Sequence, residues 1–241
     1  ARRADEDGPI TGRSPVSLRR ESAAIVNEVV DAMAGPGPRL HIHQRLARAW
    51  KLSELSAPIL RQALILSIGH GPDASVLAAR VTADAGAPLS ASALAGLAAF
   101  SSPELGGRLA QVNSFVIEAR KTDARTACRA LLSEGRDLPG FEAGSHPDGD
   151  PRARALIATA KLPEPLADIV RVGEGLTGRG PSFPLALCLA TRSLDLPRDA
   201  AFALMAVGRC VGWLGHAMEQ AGSGSPFQAR LRYVASGSAT I

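Results

Sequence analysis

The sequence predicts an all-α protein. Apolar residues recur at helical spacing along most of the chain, and no long run alternates with the period of two that a half-buried strand would show. Hydrophobic residues make up 46% of the chain and aromatic residues only 4%, so the core has to be built mainly from Ala, Leu and Val. Small side chains of this kind let helices pack closely. With 241 residues, the chain can bury a substantial core, either in one large domain or in one large domain plus a small one.

Glycine, proline and capping residues divide the N-terminal half into helices. Residues 1–16 are charged and contain Gly and Pro, so we expect a flexible N-terminal segment. The Gly-Pro-Gly-Pro run at 35–38 ends the first long helix, Pro58 fits an early helical position, and Asp73 or Ser75 begins a helix that ends at Gly86. The predicted helices of this half span residues 18–33, 42–50, 58–68, 73 or 75–85, 90–100 and 109–119.

The C-terminal half continues the same pattern around one irregular stretch. Asp123 is a good N-cap, and Asp150-Pro151 combines an N-cap with a first-turn proline. Residues 135–150 are rich in Gly, Pro and Asp and read as a loop. The predicted helices are 123–132, 151–161, 165–172, 182–193 and 197–221.

Charge and cysteine usage narrow the classes of function. The net charge is +4 and the pI is near 9.4. The charged residues are spread along the chain and few aromatic residues could stack on bases, so we expect no nucleic-acid partner. We also expect no membrane span, because a single charged residue interrupts the most apolar stretch, 200–218. The cysteines Cys128, Cys188 and Cys210 are scattered, which indicates buried, reduced thiols and a cytoplasmic location.

Arg209 is the strongest candidate for a functional residue from the residues alone. Its guanidinium lies in an apolar helix and cannot be deprotonated, so it needs a carboxylate or several carbonyls. Two readings stay open: a structural pair with an acid such as the nearby Glu219, or a site for an anionic ligand. His41 and His43 alternate around Ile42 without acidic or cysteine neighbours, and we expect no metal site.

Three segments of the chain, in order, resemble the sequence patterns of one known enzyme family. Residues 70–81 and 95–107 are similar to the family patterns His-Glu-x-Asn-Ala-Ser-Thr-Phe-Ala-Ala-Arg-Val and Ser-Gly-Pro-Leu-His-Gly-Gly-Ala. Residues 140–153 are similar to Gly-Phe-Gly-His-x-x-Tyr-Pro-Asp-Gly-Asp-Pro-Arg-Ala. Residues 208–220 and 230–234 are similar to Gly-Arg-x-x-Gly-Trp-x-x-His-x-x-Glu-Gln and Arg-Pro-Arg-x-x-Tyr-Val-Gly. The order and spacing agree from about residue 40 to about residue 236, which corresponds to the C-terminal two-thirds of a citrate synthase.

The resemblance implies a dicarboxylate site whose reactive groups are missing. The family holds oxaloacetate with a histidine and two arginines, and His70, Arg152 and Arg209 stand at those positions. The resemblance also implies no bound cofactor, with a CoA thioester as the possible second ligand. The three groups that polarise or deprotonate the reactants are replaced by residues that cannot move a proton, so no catalytic residue is expected: Leu105, Ala143 and Pro184.

These replacements favour an inactive citrate-synthase-like protein that acts as a non-catalytic subunit or as a dicarboxylate or acyl-CoA binding partner. The alternative is an active acyl-CoA condensing or cleaving enzyme, of citrate synthase or citryl-CoA lyase type, with altered chemistry. Glu104, Glu142 and His146 lie next to the vacated positions and are the candidates for such chemistry. Whether the chain is an enzyme is therefore left open.

The resemblance also implies the domain division and the partner. We expect a large domain from residues 17–115 and 200–241, and a smaller inserted domain from 116–199. We further expect a homodimer, or a heterodimer with a longer citrate synthase homologue, because the Ala-rich helices 73–85 and 90–100 correspond to dimer-forming helices of the family.

Overall fold

The computed structural model describes residues 2–37, 40–69, 71–142, 146 and 148–227. Within these residues every regular element is helical and no strand is present, which confirms the predicted all-α class. The twelve α-helices are α1 (Arg2–Glu6), α2 (Pro15–Ala34), α3 (Ile42–Ala49), α4 (Ala57–Ser67), α5 (Ala74–Asp84), α6 (Leu89–Phe100), α7 (Gly106–Lys121), α8 (Ala124–Ser133), α9 (Pro151–Ala160), α10 (Glu164–Thr177), α11 (Phe183–Ser193) and α12 (Ala200–Gly222), and a 3₁₀ turn (Glu54–Ser56) precedes α4.

Three of the predicted helix starts are confirmed by capping contacts. The side chains of Asp73, Asp123 and Asp150 each accept a hydrogen bond from a backbone N–H in the first turn of α5, α8 and α9. These bonds satisfy donors that a helix N-terminus cannot pair internally. The described part of the loop predicted at 135–150 contains no helix.

Several predicted boundaries are wrong. α2 and α7 begin three residues before their predicted starts, at Pro15 and Gly106, and α12 begins three residues after its predicted start, at Ala200. α6 begins at Leu89 with Pro88 as its N-cap, because Ser90 is buried inside the first turn and its hydroxyl donates to the carbonyl of Arg3. α10 continues past the end predicted at residue 172 to Thr177. It ends only where Gly178, at φ 66°, supplies the left-handed conformation of a helix terminus.

The N-terminal residues pack on the helical core. Within the segment expected to be flexible, α1 lies against α6. Ile10 is 3% exposed, and its backbone N–H donates to the carbonyl of Gly86 at 3.2 Å. Residues 2–16 therefore cover part of the surface formed by α5 and α6.

α12 is the central helix of a group that also contains α2, α4, α5 and α6. It packs against α2, α4, α5 and α6, whereas α11 packs on α7 and α9, and α10 packs on α8. Among the described residues α12 alone has the length and apolar composition to cross a bilayer, and 61% of its apolar window is buried inside the protein. This burial is that of a helix in a protein core.

The cysteines occupy the core as predicted. Cys128, Cys188 and Cys210 are free and buried. Burial raises the pKa of the Cys188 and Cys210 thiols to about 12. Both therefore stay protonated near neutral pH, which makes them packing groups rather than nucleophiles.

Candidate functional site

Arg209 is buried where α12 meets α4 and α5. Its side chain is 1% exposed, and the guanidinium contacts groups from both neighbouring helices. Nη1 donates to the carbonyl of Ile68 at 2.9 Å, and Nη2 lies 3.3 Å and 3.4 Å from the two carboxylate oxygens of Asp73. The guanidinium carbon also lies 5.8 Å from the ring centroid of Trp213, on the same helix. Arg209 is thus held by a carbonyl, a carboxylate and an aromatic ring.

The place where α12 meets α4 and α5 is called the Arg209 corner below. Two glycines of α12 let the end of α4 approach α12 closely there. A Cβ added to Gly212 would lie 2.3 Å from the carbonyl oxygen of Ile68, which is the oxygen that Arg209 bonds. A Cβ added to Gly208 would lie 2.5 Å from the Cβ of Ser67 and 2.7 Å from the carbonyl oxygen of Leu64. Any other residue at these positions would push α4 away, so the glycines fix the distance between the guanidinium and the helix end.

The environment of Arg209 works against its charge and is only partly compensated. Burial lowers its pKa, the carboxylate of Asp73 opposes this effect, and the positive charge of Arg152 adds to it. Because a guanidinium is not deprotonated in proteins, the group stays cationic. Arg209 therefore needs a counter-ion, as its position in an apolar helix predicts.

The counter-ion is Asp73 and not Glu219, the nearby acid suggested from the sequence. Glu219 forms an ion pair with Arg80, and Arg80 also lies 3.1 Å from Nδ1 of His216. Nε of Arg80 donates to the side-chain oxygen of Gln220 at 3.2 Å. These contacts connect residues 70–81 with residues 208–220. Because Glu219 pairs with Arg80, Asp73 is the acid that pairs with Arg209.

Arg152 lies at the start of α9 and is more accessible. Its side chain is 26% exposed, and its Nη2 lies 2.6 Å from Oδ2 of Asp150. Nη1 donates to the carbonyl of Gly69, and the guanidinium carbon lies 5.0 Å from the ring centroid of Phe183. Burial raises the pKa of Asp150, but the hydrogen bonds and charge of Arg152 outweigh it and hold this pKa below its ordinary value.

Two of the three predicted binding residues therefore meet at one helix end. Arg209 and Arg152 donate to the consecutive carbonyls of Ile68 and Gly69, directly after α4. The carbonyls at a helix C-terminus carry partial negative charge, which favours cations there. His70, the third predicted residue, lies outside the described residues.

A cavity of about 490 Å³ opens beside Arg152. Leu105 and Pro184, two of the three positions where the family pattern places reactive groups, both line it. The third, Ala143, lies outside the described residues. The structure therefore brings Leu105, Pro184 and Arg152 to the lining of one cavity, whereas Arg209 is not among the described residues that line it.

Further charged groups of the cavity come from the loops around it and from the first turn of α7. Glu104 and Arg108 form an exposed ion pair at 3.3 Å, and one carboxylate oxygen of Glu142 accepts from the N–H of Gly140 at 2.9 Å. His146 also lines the cavity. Across the part of the chain that the structure describes, no group of three His, Cys, Asp or Glu side chains could hold a metal ion.

Comparison with known proteins identifies the class. The sequence profile of the citrate synthase C-terminal domain matches residues 16–231 of this chain. The chain belongs to the citrate synthase family.

The curated relatives confirm this membership at moderate identity. The chain is 32% identical over 181 residues to "Putative citrate synthase 2" of Mycobacterium tuberculosis, across 70% of this chain and 48% of the relative. It is 26% identical over 179 residues to citrate synthase 2 of Bacillus subtilis, across 70% of this chain and 48% of that protein. The chain thus spans about half the length of the curated relatives it matches.

Solved structures show the same fold. The chain superposes on citryl-CoA lyase from Hydrogenobacter thermophilus with a TM-score of 0.72 and 22% identity, covering 82% of this chain and 85% of that one. It superposes on citrate synthase from Thermotoga maritima with a TM-score of 0.75 and 22% identity, covering 92% of this chain and 68% of that one.

Proposed function

We propose that this chain is a non-catalytic member of the citrate synthase family that binds an acidic small molecule or a CoA thioester without condensing the two. One observation carries the proposal: Leu105 and Pro184 line the same cavity as Arg152. The vacated positions therefore face the space that a ligand of Arg152 would occupy. Neither side chain can accept or donate a proton.

The expected loss of rate is large. Each positioned general acid or base contributes a factor of roughly 10²–10⁴, and a polarising donor contributes a factor of similar size. Residues that act as a unit do not contribute additively. Even so, the hydrocarbon groups at Leu105 and Pro184 supply none of these effects.

The direct test is release of free CoA from acetyl-CoA and oxaloacetate by the purified chain. We expect no release above a control without protein. Release of CoA at a rate proportional to protein concentration would contradict the proposal. The assay has to use the chain free of active homologues, because a partner's own sites would give the same signal.

The second candidate is an acyl-CoA cleaving or condensing enzyme with different acid–base groups. Glu104, Glu142 and His146 line the cavity, and the fold is shared with a citryl-CoA lyase. Incubation with citryl-CoA distinguishes the two candidates. Cleavage that disappears in Glu142→Gln but persists in Glu118→Gln, an exposed glutamate on α7 outside this cavity, would favour the enzyme.

A dimer is the proposed assembly, either with itself or with a longer homologue. Leu77 and Val81 on α5 and Leu94 on α6 are 43%, 46% and 40% exposed, which leaves an apolar surface on two Ala-rich helices. Exposed apolar patches of this kind mark interaction sites. Light scattering should give twice the monomer mass of 25.0 kDa, and Leu77→Glu with Leu94→Glu should give a monomer. A monomeric native chain without a co-purifying partner would contradict this.

A further inference from the structure

The ion pair of Arg209 leaves part of its hydrogen-bonding capacity unused. The contacts from Nη2 to Asp73 are 3.3 Å and 3.4 Å, longer than the 2.7–2.9 Å of a strong charge-assisted bond. Nε of Arg209 is buried and has no hydrogen-bond partner among the described residues. Asp73 therefore neutralises the guanidinium without saturating it.

We propose that Asp73 is a built-in counter-ion that competes with ligand carboxylates for Arg209 and so sets how many negative charges the site accepts. This inference rests on the proposed binding function. An anion approaching Arg209 also meets the negative charge of Asp73, and the like-charge repulsion offsets the attraction of the guanidinium. The preferred ligand therefore carries fewer negative charges than a dicarboxylate.

The arginines that line the cavity beside Arg152 are also paired with carboxylates. Its described lining contains the carboxylates Glu104, Glu142 and Asp150 and the guanidiniums Arg108 and Arg152. Arg108 forms an ion pair with Glu104, and Arg152 with Asp150. Because carboxylates outnumber guanidiniums among these described residues and each of the two arginines lies beside a carboxylate, this lining favours a singly charged carboxylate or a neutral acyl group over a dianion.

Asp73→Asn tests this role with little disturbance of the fold. Asp73 caps α5 by accepting from the N–H groups of Ser75 and Val76, and asparagine is an equally good N-cap. The variant removes one charge and keeps the shape. Arg209 then needs an external anion, because an uncompensated buried charge is destabilising.

The probes are oxaloacetate and pyruvate, which differ by one carboxylate. Calorimetry should show that Asp73→Asn binds oxaloacetate about ten- to a hundredfold more tightly than the native chain, with a smaller gain for pyruvate. Thermal unfolding should show a lower midpoint for the variant without ligand and recovery when oxaloacetate is added. An unchanged ratio of the two affinities would overturn the inference.

Asp123→Asn is the matched control. Asp123 caps α8 through the N–H of Thr126 in the same manner, and its side chain belongs to neither the Arg209 corner nor the cavity. This variant should leave both affinities unchanged. A gain of equal size in both variants would show a general charge effect and would reject a specific role for Asp73.

The double variant Asp73→Asn with Arg209→Gln provides a second test, in case Asp73→Asn alone does not fold, because it removes both charges and leaves no uncompensated buried charge. Since the two charges offset each other in the native chain, the double variant should bind oxaloacetate within about threefold of the native affinity. A loss of more than about tenfold would show that ligands do reach Arg209 past Asp73, and the inference would fail.

The outcome is separable from that of the proposed function. CoA release by the native chain would refute the non-catalytic role whatever the variants do. An inactive native chain whose ligand preference does not respond to Asp73→Asn would refute only the inference.

Discussion

The corner around Arg209 and the cavity beside Arg152 contain the same kind of ion pair in different surroundings. In each, an arginine bonds a carbonyl at the end of α4 and an aspartate that caps a helix. Arg209 is 1% exposed and Arg152 is 26% exposed. Two arginines at family binding positions therefore differ in availability to a ligand, because Arg209 is buried beside its carboxylate whereas solvent reaches Arg152.

The largest expected difference between the regions is in stability. Asp73→Ala should lower the free energy of unfolding by about 3–5 kcal/mol, because it leaves a buried guanidinium without its carboxylate. Asp150→Ala should cost about 2 kcal/mol, because solvent reaches Arg152 and screens its charge. Both variants lose an N-cap worth about 1 kcal/mol, so the difference reports on the charge.

Urea denaturation followed by circular dichroism measures both free energies. Equal losses in the two variants would erase the distinction between a buried and an accessible pair.

The second prediction concerns how closely α12 approaches α4. Gly212→Ala should destabilise the protein by about 1–3 kcal/mol through overpacking, because the new Cβ would lie 2.3 Å from the carbonyl oxygen of Ile68. Gly215→Ala on the same helix meets nothing within 4 Å and should stabilise the helix by about 0.5–1 kcal/mol. Thermal melts of the pair should shift in opposite directions. Shifts of the same sign would show that the corner tolerates a wider separation.

The smallest expected effect is a pH dependence at the Arg152 pair. The pKa of Asp150 is held below its ordinary value in the folded protein, so its contribution to stability is present above the unfolded pKa of about 3.9. This contribution disappears as the pH falls through the lower folded pKa. The difference in unfolding free energy between the native chain and Asp150→Asn should be constant from about pH 5 to 7 and should shrink below about pH 4. A difference that does not change with pH would assign the effect to capping alone.

The sequence predicts helices well here because their ends are marked by local chemistry. Asp123 and Asp150 are N-caps that the sequence pattern indicates, and Gly35, at φ 74°, follows the end of α2. The error at the start of α6 occurs where a tertiary contact decides. The hydroxyl of Ser90 finds the carbonyl of Arg3, 87 residues away, and nothing within the local pattern around Ser90 indicates this.

The sequence predicts that the arginine of the candidate site needs an anionic partner, but it does not predict which residue supplies the negative charge. One charged residue in the apolar stretch of α12 was enough to predict that Arg209 needs an anion. Its partner Asp73 lies 136 residues away and could not be found by helical spacing. The available signal was the aspartate in residues 70–81 where the family pattern quoted above has an asparagine.

The central position of α12 also has a consequence for how the chain folds during synthesis. The indole N–H of Trp213 donates to the hydroxyl of Ser75 at 2.8 Å across 138 residues of sequence. A ribosome adds about 5–20 residues per second, so about 7–28 s separate the synthesis of these two residues. Throughout that time the faces of α4, α5 and α6 that α12 will cover have no native partner. Nascent chains that stop before Ala200 should therefore bind chaperones that capture apolar helices, and chains extended past Gly222 should release them.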